Sequence, residues 1–429
     1  MESLTFVLFV LRSSADRLLE AMHIEVAGMD MTAGAILNLA VLALTAFLIL
    51  RRSGSAWYSF RIWLPFLAVA AGSIAWSSDK MGGIRALLVL LTYACLFAVP
   101  FLVGAASRHY ATLLKAIVYS SIVPTTIGLL ELAFFRDPSG RVQSTFIHPN
   151  GFAFYLMVIL GVIFFLLSSS VIQFRSLTRR LMFPYAALLL GLLVMTQTRS
   201  AWIGTFIIVI AYATLIDRRY LLALPLLPLL LFIPAVGDRL ADLEQGTEFT
   251  GAMGSKADAL NSFAWRELMW ESAIADAAES PMFGKGLASF APNSLVFFPL
   301  ADATKKTYYR GGIGAHSAYV QTFYETGAVG FACYLLIYLS LLARIARSFR
   351  KDPRGAIMLG ATVIAYMMGN FSDNILDYGS LNLYFWGFTG IVFAKWAQLR
   401  SARVLAPSPA ALRARLAVRQ RFGDLRPSA

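Results

Sequence analysis

The stretch Gly151-Phe-Ala-Phe-Tyr-Leu-Met-Val-Ile-Leu-Gly-Val-Ile-Phe-Phe-Leu-Leu-Ser168 carries no charge over its whole length. A helix of about 20 apolar residues crosses the hydrocarbon core of a bilayer. Comparable runs recur along the 429 residues, of which 58% are hydrophobic and only 14% charged. So few charges could not cover the surface of a water-soluble protein. The sequence therefore predicts an all-α polytopic membrane protein.

Polar breaks between the apolar runs predict about twelve transmembrane helices. Run 3–11 has only about half the length of a transmembrane helix but is counted as the first span. A cleaved signal peptide is the alternative, but residues 1–4 lack the basic start of such a peptide. The remaining runs are 33–50, 62–76, 84–105, 112–135, 151–168, 182–197, 200–216, 219–236, 315–343, 355–371 and 380–398. The expected divisions are transmembrane helices one to nine (1–236), a large periplasmic loop (237–314), helices ten to twelve (315–398) and a basic cytoplasmic tail (399–429).

The distribution of charge predicts the orientation of the chain. With both termini in the cytoplasm, the cytoplasmic segments hold 23 Lys/Arg and 4 acids, whereas the opposite side holds 14 Lys/Arg and 20 acids. This asymmetry is what the positive-inside rule describes. The net charge of +13 is therefore attributed to cytoplasmic loops, and no nucleic-acid partner is predicted. Cys95 and Cys333 both lie within apolar runs, which argues against a disulfide framework.

The long loop is expected to contain one helix. Residues 261–278 have helical periodicity, with Phe263, Met269, Trp270 and Ile274 near one side. Asn261 or Ser262 is suited to cap its N-terminus, and the proline and glycines of the segment 281–287 should end it.

Unusual polar side chains gather at the predicted outer ends of the spans. The candidates for binding or catalysis are Arg136, Arg141, His148, Asn150, Arg199, Arg266, His316, Tyr319 and Glu325. The guanidinium fork of arginine matches phosphate oxygens two at a time, and histidine can accept a proton from a hydroxyl near neutral pH. Spacings typical of metal ligands do not occur, so neither a metal nor another cofactor is predicted.

Each candidate also has a simpler structural explanation. Arginines at span ends can reach lipid headgroups or pair with nearby acids, and a histidine at a helix start is often structural. Glu325 lies deeper in an apolar span, where a charge is costly, so a functional or paired role is favoured. Asp373 and Asp377 are expected to be solvated.

Four motifs occur in a characteristic order before, within and after the long loop. They are Ser144-Thr-Phe-Ile-His-Pro-Asn150, Gln197-Thr-Arg-Ser-Ala-Trp202, Arg266 ahead of Pro281-Met-Phe-Gly-Lys-Gly-Leu287, and His316-Ser-Ala-Tyr-Val-Gln-Thr-Phe-Tyr-Glu-Thr-Gly-Ala-Val-Gly330. In their order and placement the chain resembles the O-antigen ligase and O-antigen/exopolysaccharide polymerase superfamily of bacterial inner-membrane glycosyltransferases.

The resemblance implies a fold related to lipid-dependent membrane glycosyltransferases and a glycan donor on undecaprenyl diphosphate at the periplasmic face. It implies that Arg199 and Arg266 hold the diphosphate, and that His316 activates the acceptor hydroxyl. The implied transfer needs no metal and inverts the anomeric carbon. Ligases of the superfamily use lipid A–core as acceptor and polymerases use the next repeat unit; the His148-Pro149-Asn150 element favours a polymerase. A flippase and a chain-length regulator are the expected protein partners.

A transporter or flippase is the alternative class of function. Such proteins usually spread intramembrane charges along a path and break their helices at the midplane. Here the cations gather at one face of the predicted bundle, which favours a one-sided site.

Overall fold

The computed structural model describes residues 11–26, 29–51, 59–103, 107–134, 140–172, 176–222, 237, 262–298 and 312–405. Among the predicted features, run 3–11, most of run 219–236, most of the basic tail and Arg136 lie outside these ranges. The described chain is predominantly helical. Its α-helices are α1 Asp16–Ala21, α2 Ala33–Arg51, α3 Leu64–Ser73, α4 Lys80–Val103, α5 Ser107–Tyr119, α6 Ile122–Phe134, α7 Pro149–Ser168, α8 Ser176–Met195, α9 Arg199–Leu215, α10 Ser262–Ala277, α11 Phe290–Phe297, α12 Ala318–Ser348, α13 Pro353–Ser372 and α14 Gly379–Leu405.

Helix α7 forms the centre of the bundle. Every residue from Gly151 to Ser168 is buried, because α8, α9, α13 and α14 all pack against it. A helix that is apolar on all sides is expected to be enclosed by other helices or by lipid. The stretch that predicts a membrane protein therefore lies inside the protein, and large apolar side chains such as Leu50, Leu181 and Leu222 are exposed instead.

Seven stretches of helix in the described chain are long and apolar enough to cross a membrane, and two shorter apolar helices accompany them. This agrees with the predicted helical membrane fold, while the count of twelve spans stays a prediction. The seven are Ala33–Arg51, Lys80–Val103, His109–Phe134, Pro149–Ser168, Thr178–Met195, Ala318–Ser348 and Pro353–Ser372.

Two local features differ from the prediction. The run 112–135 is two helices, α5 and α6, separated at Ser120 and Ser121. Pro124 explains the break, because its ring cannot accommodate the carbonyl of Ser120 in a continuous helix. A two-stranded antiparallel hairpin, β1 His23–Val26 and β2 Met29–Thr32, precedes α2, so the chain is not purely helical.

One end of the bundle, called the motif end here, brings together the segments 141–150, 196–200, 314–318 and 372–380. The carboxylate of Asp373 bonds to Asn150, and the carbonyl of Asp373 accepts from the amide of Ala318 at 3.3 Å. The N-terminal segment joins the same end, since the amide of Arg17 donates to the carbonyl of Thr145 at 2.9 Å.

Helix α12 is broken at Gly327, whose φ is 67°. The loop 281–286 takes over the hydrogen bonds that the helix loses there. The amides of Ala328 and Val329 donate to the carbonyls of Pro281 and Met282 at 2.9 and 3.2 Å. In return, the amides of residues 285 and 286 donate to the carbonyls of residues 324 and 325, both at 2.9 Å. Four backbone groups of α12 next to the break are thus paired, as a buried site requires.

Glycine is needed on both sides of this junction. A Cβ on Gly284 would lie 2.6 Å from backbone atoms of residues 325–327, and one on Gly327 would lie 2.3 Å from the carbonyl of Met282. Both residues have positive φ. The loop 281–286 and the break in α12 therefore each need the glycine of the other segment in order to pack together.

We expect Gly284→Ala and Gly327→Ala each to lower the free energy of unfolding by about 2–4 kcal/mol, because strain and steric overlap add. Thermal unfolding of the purified protein in detergent measures this. Gly72→Ala and Gly191→Ala are matched controls, since a Cβ at either position meets no atom of the described chain within 4 Å. An equal effect of all four substitutions would contradict the explanation.

Candidate active site

The carboxylate of Asp373 is the hub of the motif end. It follows the last residue of α13 and is 2% exposed. Its Oδ2 accepts from Asn150 Nδ2 at 2.7 Å and from the Tyr378 hydroxyl at 3.0 Å. Its Oδ1 accepts from the amide of Asn374 at 2.8 Å and lies 3.7 Å from His316 Nδ1. The expectation that Asp373 is solvated is therefore wrong.

Neighbouring groups keep Asp373 ionised. Burial alone would raise the pKa of this carboxyl, but His316, the positive charge of Arg266 and the amide of Asn150 together lower it below its ordinary value. The side chain of Asp377, in contrast, is exposed, as expected. Desolvation of its carboxyl by the surrounding protein and the charge of Asp373 raise the pKa of Asp377 to about 7, although a bond from Asn374 opposes the shift.

His316 is held by the loop helix and by its own backbone. Its φ is 48°, in the left-handed region, and its side chain is 37% exposed. The ring packs edge-on against Trp265 of α10 at 5.7 Å, and Trp270 Nε1 donates to the carbonyl of Ala315 at 2.7 Å. The predicted helix in the long loop thus exists and places Arg266 beside His316. Of its predicted apolar side, Met269 is buried, whereas Phe263 and Ile274 are half exposed.

Strained backbone is concentrated at the motifs. Besides His316, the non-glycine residues of the described chain with positive φ are Ser144, Gln197 and Ala288. Ser144 and Gln197 begin the first two motifs, and Ala288 directly follows the third. Such conformations cost about 1–3 kcal/mol each and cluster at functional sites. This signal supports a site at the motif end, and it could not be obtained from the sequence.

Arg141 fixes the orientation of Asn150. Its Nε donates to the carbonyl of Thr196 at 2.9 Å, and its Nη2 donates to Asn150 Oδ1 at 2.6 Å and to the Thr198 hydroxyl at 3.1 Å. The amide of Asn150 therefore accepts from Arg141 and donates to Asp373. A continuous bridge runs from Arg141 through Asn150 and Asp373 to His316.

A cavity with an empty volume of about 1140 Å³ opens beside this bridge and is called the arginine cavity here. It is lined by Arg141, Asn150, Gln197, Thr198, Arg199, Ser200, Ile203, Phe263, Arg266, Met368, Phe371 and Ser372. None of these described lining residues is acidic. Arg199 is the first residue of α9, so the N-terminus of that helix adds its partial positive charge. The cavity therefore combines three cations with an apolar wall.

Besides His316, three described site residues are not among the residues that line the arginine cavity. His148 precedes α7 and lines a second cavity, whose lining residue Tyr378 bonds to Asp373. Burial lowers the pKa of His148, as do the nearby charges of Arg141 and His316, although Asp373 opposes the shift. The Tyr319 hydroxyl donates to the carbonyl of Met367 at 3.0 Å. Glu325 lines a third cavity, near the break in α12.

A protein-family model described as O-antigen ligase matches residues 184–335. This match confirms the predicted resemblance to the O-antigen ligase and polymerase superfamily. The matched segment contains Arg199, Arg266, His316 and the break at Gly327, but not Asp373. A search of curated proteins finds no match.

The raised pKa of Asp377 predicts a dependence of stability on pH. A carboxyl that holds its proton more tightly when folded loses stability as the pH rises from about 4 to above 7. We therefore expect Asp377→Asn, which resembles the neutral acid, to raise the thermal unfolding temperature at pH 8 and to change it little at pH 5. The exposed Glu271→Gln is the control. A gain of the same size at both pH values would contradict the prediction.

Proposed function

We propose that the protein transfers a glycan from a lipid diphosphate to a sugar hydroxyl at the periplasmic face of the bacterial inner membrane. The observation that carries this proposal is the arginine cavity beside the His316–Asp373 pair. Undecaprenyl diphosphate is the donor carrier that the family resemblance implies.

The arginine cavity suits both parts of such a donor. Arg199, Arg266 and the N-terminus of α9 would hold the diphosphate through charge-assisted hydrogen bonds. Ile203 and Met368 belong to the apolar wall, which would accept the first isoprene units. A cation cluster next to an apolar surface fits a lipid diphosphate better than it fits a free sugar.

His316 is the proposed general base. Its Nδ1 faces Asp373, so a proton on Nδ1 leaves Nε2 as the basic nitrogen. Nε2 takes the hydroxyl proton while the acceptor oxygen bonds to the anomeric carbon from the side opposite the diphosphate. The bond from that carbon to the diphosphate oxygen breaks, and the diphosphate leaves with the electron pair beside the arginines. Asp373 stabilises the imidazolium that forms, and the anomeric configuration inverts.

We favour the next repeat unit as acceptor, which makes the protein a polymerase, on the basis of the His148-Pro149-Asn150 element. Transfer to lipid A–core by a ligase is the alternative. Deletion of the encoding gene separates the two: single repeat units on the core indicate a lost polymerase, and free polymer without core attachment indicates a lost ligase. A flippase that delivers the donor and a chain-length regulator are the proposed partners.

Replacement of the cavity arginines tests the donor site. Arg199→Lys and Arg266→Lys keep the charge but lose the bidentate fork, so we expect activity to fall by about 10–100-fold. Glycan transfer by the purified protein measures this. Arg180→Lys is the control, because Arg180 lies in α8 near its start, away from the motif end. Full activity of Arg199→Ala at a normal protein level would show that Arg199 only contacts lipid headgroups and does not bind the donor.

A pH profile tests the role of His316. A base must be neutral, so with saturating donor the activity should rise over the range in which histidine loses its proton, and removal of the base should cost about 10²–10⁴-fold. An imidazolium that only binds phosphate would lose activity over the same range. Assays from about pH 5.5 to 8.5 distinguish the two. High residual activity of His316→Arg would exclude the base.

A further inference from the structure

A second cavity, called the acidic cavity here, is lined by Tyr378, whose hydroxyl bonds to the Asp373 carboxylate. Its empty volume is about 970 Å³, and its polar lining includes Arg12, Asp16, Glu20, His148 and Asp377. The proposed mechanism uses none of these side chains. The aromatic rings of Tyr93 and Phe146 form part of the remaining wall.

The Asp373 carboxylate connects lining residues of the two cavities. Asn150, which lines the arginine cavity, donates to Asp373 Oδ2 at 2.7 Å. Tyr378, which lines the acidic cavity, donates to the same oxygen at 3.0 Å. His316 faces the other oxygen. Each cavity is therefore linked to the proposed base through one hydrogen bond to Asp373.

The acidic cavity adjoins the third cavity, since Asp377 and Val89 line both. The third cavity is lined by Glu325, which is 4% exposed and whose Oε1 has no hydrogen-bond partner within the described ranges. Arg12 is 3% exposed, and its Nη1 lies 3.3 Å from Asp16 Oδ1 but has no hydrogen bond to any described residue. One buried acceptor and one buried donor without a hydrogen bond thus belong to residues that line the two cavities.

A ligand hydroxyl would donate to Glu325 or accept from Arg12 once either side chain turned toward its cavity. Buried polar atoms are costly unless paired, so each is a place for a ligand or water. The aromatic wall of the acidic cavity, next to its carboxylates, also matches a sugar ring, which has apolar faces and a polar rim.

The charge of the acidic cavity is opposite to that of the arginine cavity. Arg12 is its only cation, since burial lowers the pKa of His148. Asp16 and Glu20 oppose Arg12, and Asp377 adds part of a further negative charge because its pKa is raised to about 7. A phosphate group would be repelled here, whereas an uncharged or amino sugar would not.

We propose that the acidic cavity binds the acceptor sugar, and that its charge selects an uncharged or amino sugar over a phosphorylated one. The proposal rests on the proposed function, because it assigns the second substrate of that reaction. The donor and acceptor sites are then separate cavities, each connected to His316 through Asp373.

Protection of introduced cysteines tests the assignment. Cys95 and Cys333 are replaced by alanine, and a single cysteine is placed at Asn38 or Thr32 in the acidic cavity or at Ile203 in the arginine cavity. Maleimide labelling is followed with two probes: inorganic pyrophosphate, and the dephosphorylated glycan released by mild acid from the lipid-linked pool of the producing cells. We expect the glycan to protect positions 38 and 32, and pyrophosphate to protect position 203.

Two charge variants sharpen the test. Glu20→Gln should raise the glycan concentration for half protection of position 38 by about tenfold, the equivalent of one hydrogen bond to a charged group. Glu20→Lys should make position 38 protectable by pyrophosphate. Glu25→Gln and Glu25→Lys are the matched controls, because Glu25 is exposed on β1 and does not line the cavity.

The outcomes separate the two proposals. The acceptor assignment would be overturned if pyrophosphate protected positions 38 and 32 in the protein without a charge substitution. It would also be overturned if the glycan protected neither position. Neither result would affect the proposed donor site. Failure of pyrophosphate to protect position 203 would instead contradict the proposed function.

Discussion

The buried carboxylate of Asp373 is the interaction on which the rest of the motif end depends. It receives hydrogen bonds from Asn150, Asn374 and Tyr378 and lies beside His316. A buried charge is tolerated only when it is paired and hydrogen-bonded. Asp373 therefore holds the start of α7, the start of α12 and the end of α13 in one arrangement, because a shift of any of them would leave the charge uncompensated.

The break in α12 solves a second physical problem. A charged site needs polar loops near the bilayer, but unpaired backbone groups are costly there. The loop 281–286 meets this requirement by exchanging four backbone hydrogen bonds with α12 around Gly327. The same junction places Glu325 at the third cavity. The loop and α12 thus pair backbone groups that the break would otherwise leave without a partner.

The separation of charge explains how one site could distinguish two carbohydrate substrates. Arg141, Arg199 and Arg266 line one cavity, and Asp16, Glu20 and Asp377 line another. The diphosphate is the feature that differs between a lipid-linked donor and the reacting end of an acceptor. In the proposed reaction, the opposite electrostatic fields of the two cavities would sort the substrates by that feature, because electrostatic complementarity contributes to specificity.

Much of this protein follows from the sequence alone. Long uncharged runs predict a bundle of membrane helices, because a helix pairs all its backbone groups internally where the bilayer offers no water. The order of the motifs indicates which helix ends carry Arg199, Arg266 and His316. Tertiary structure decided what one-dimensional patterns do not encode: that α7 is enclosed by protein rather than lipid, that Asp373 is buried, and that Arg12, Asp16 and Glu20 line a cavity next to the site. Burial and charge pairing depend on neighbours more than 100 residues away in the chain, as in the bond between Asn150 and Asp373, and only the packed fold brings those neighbours together.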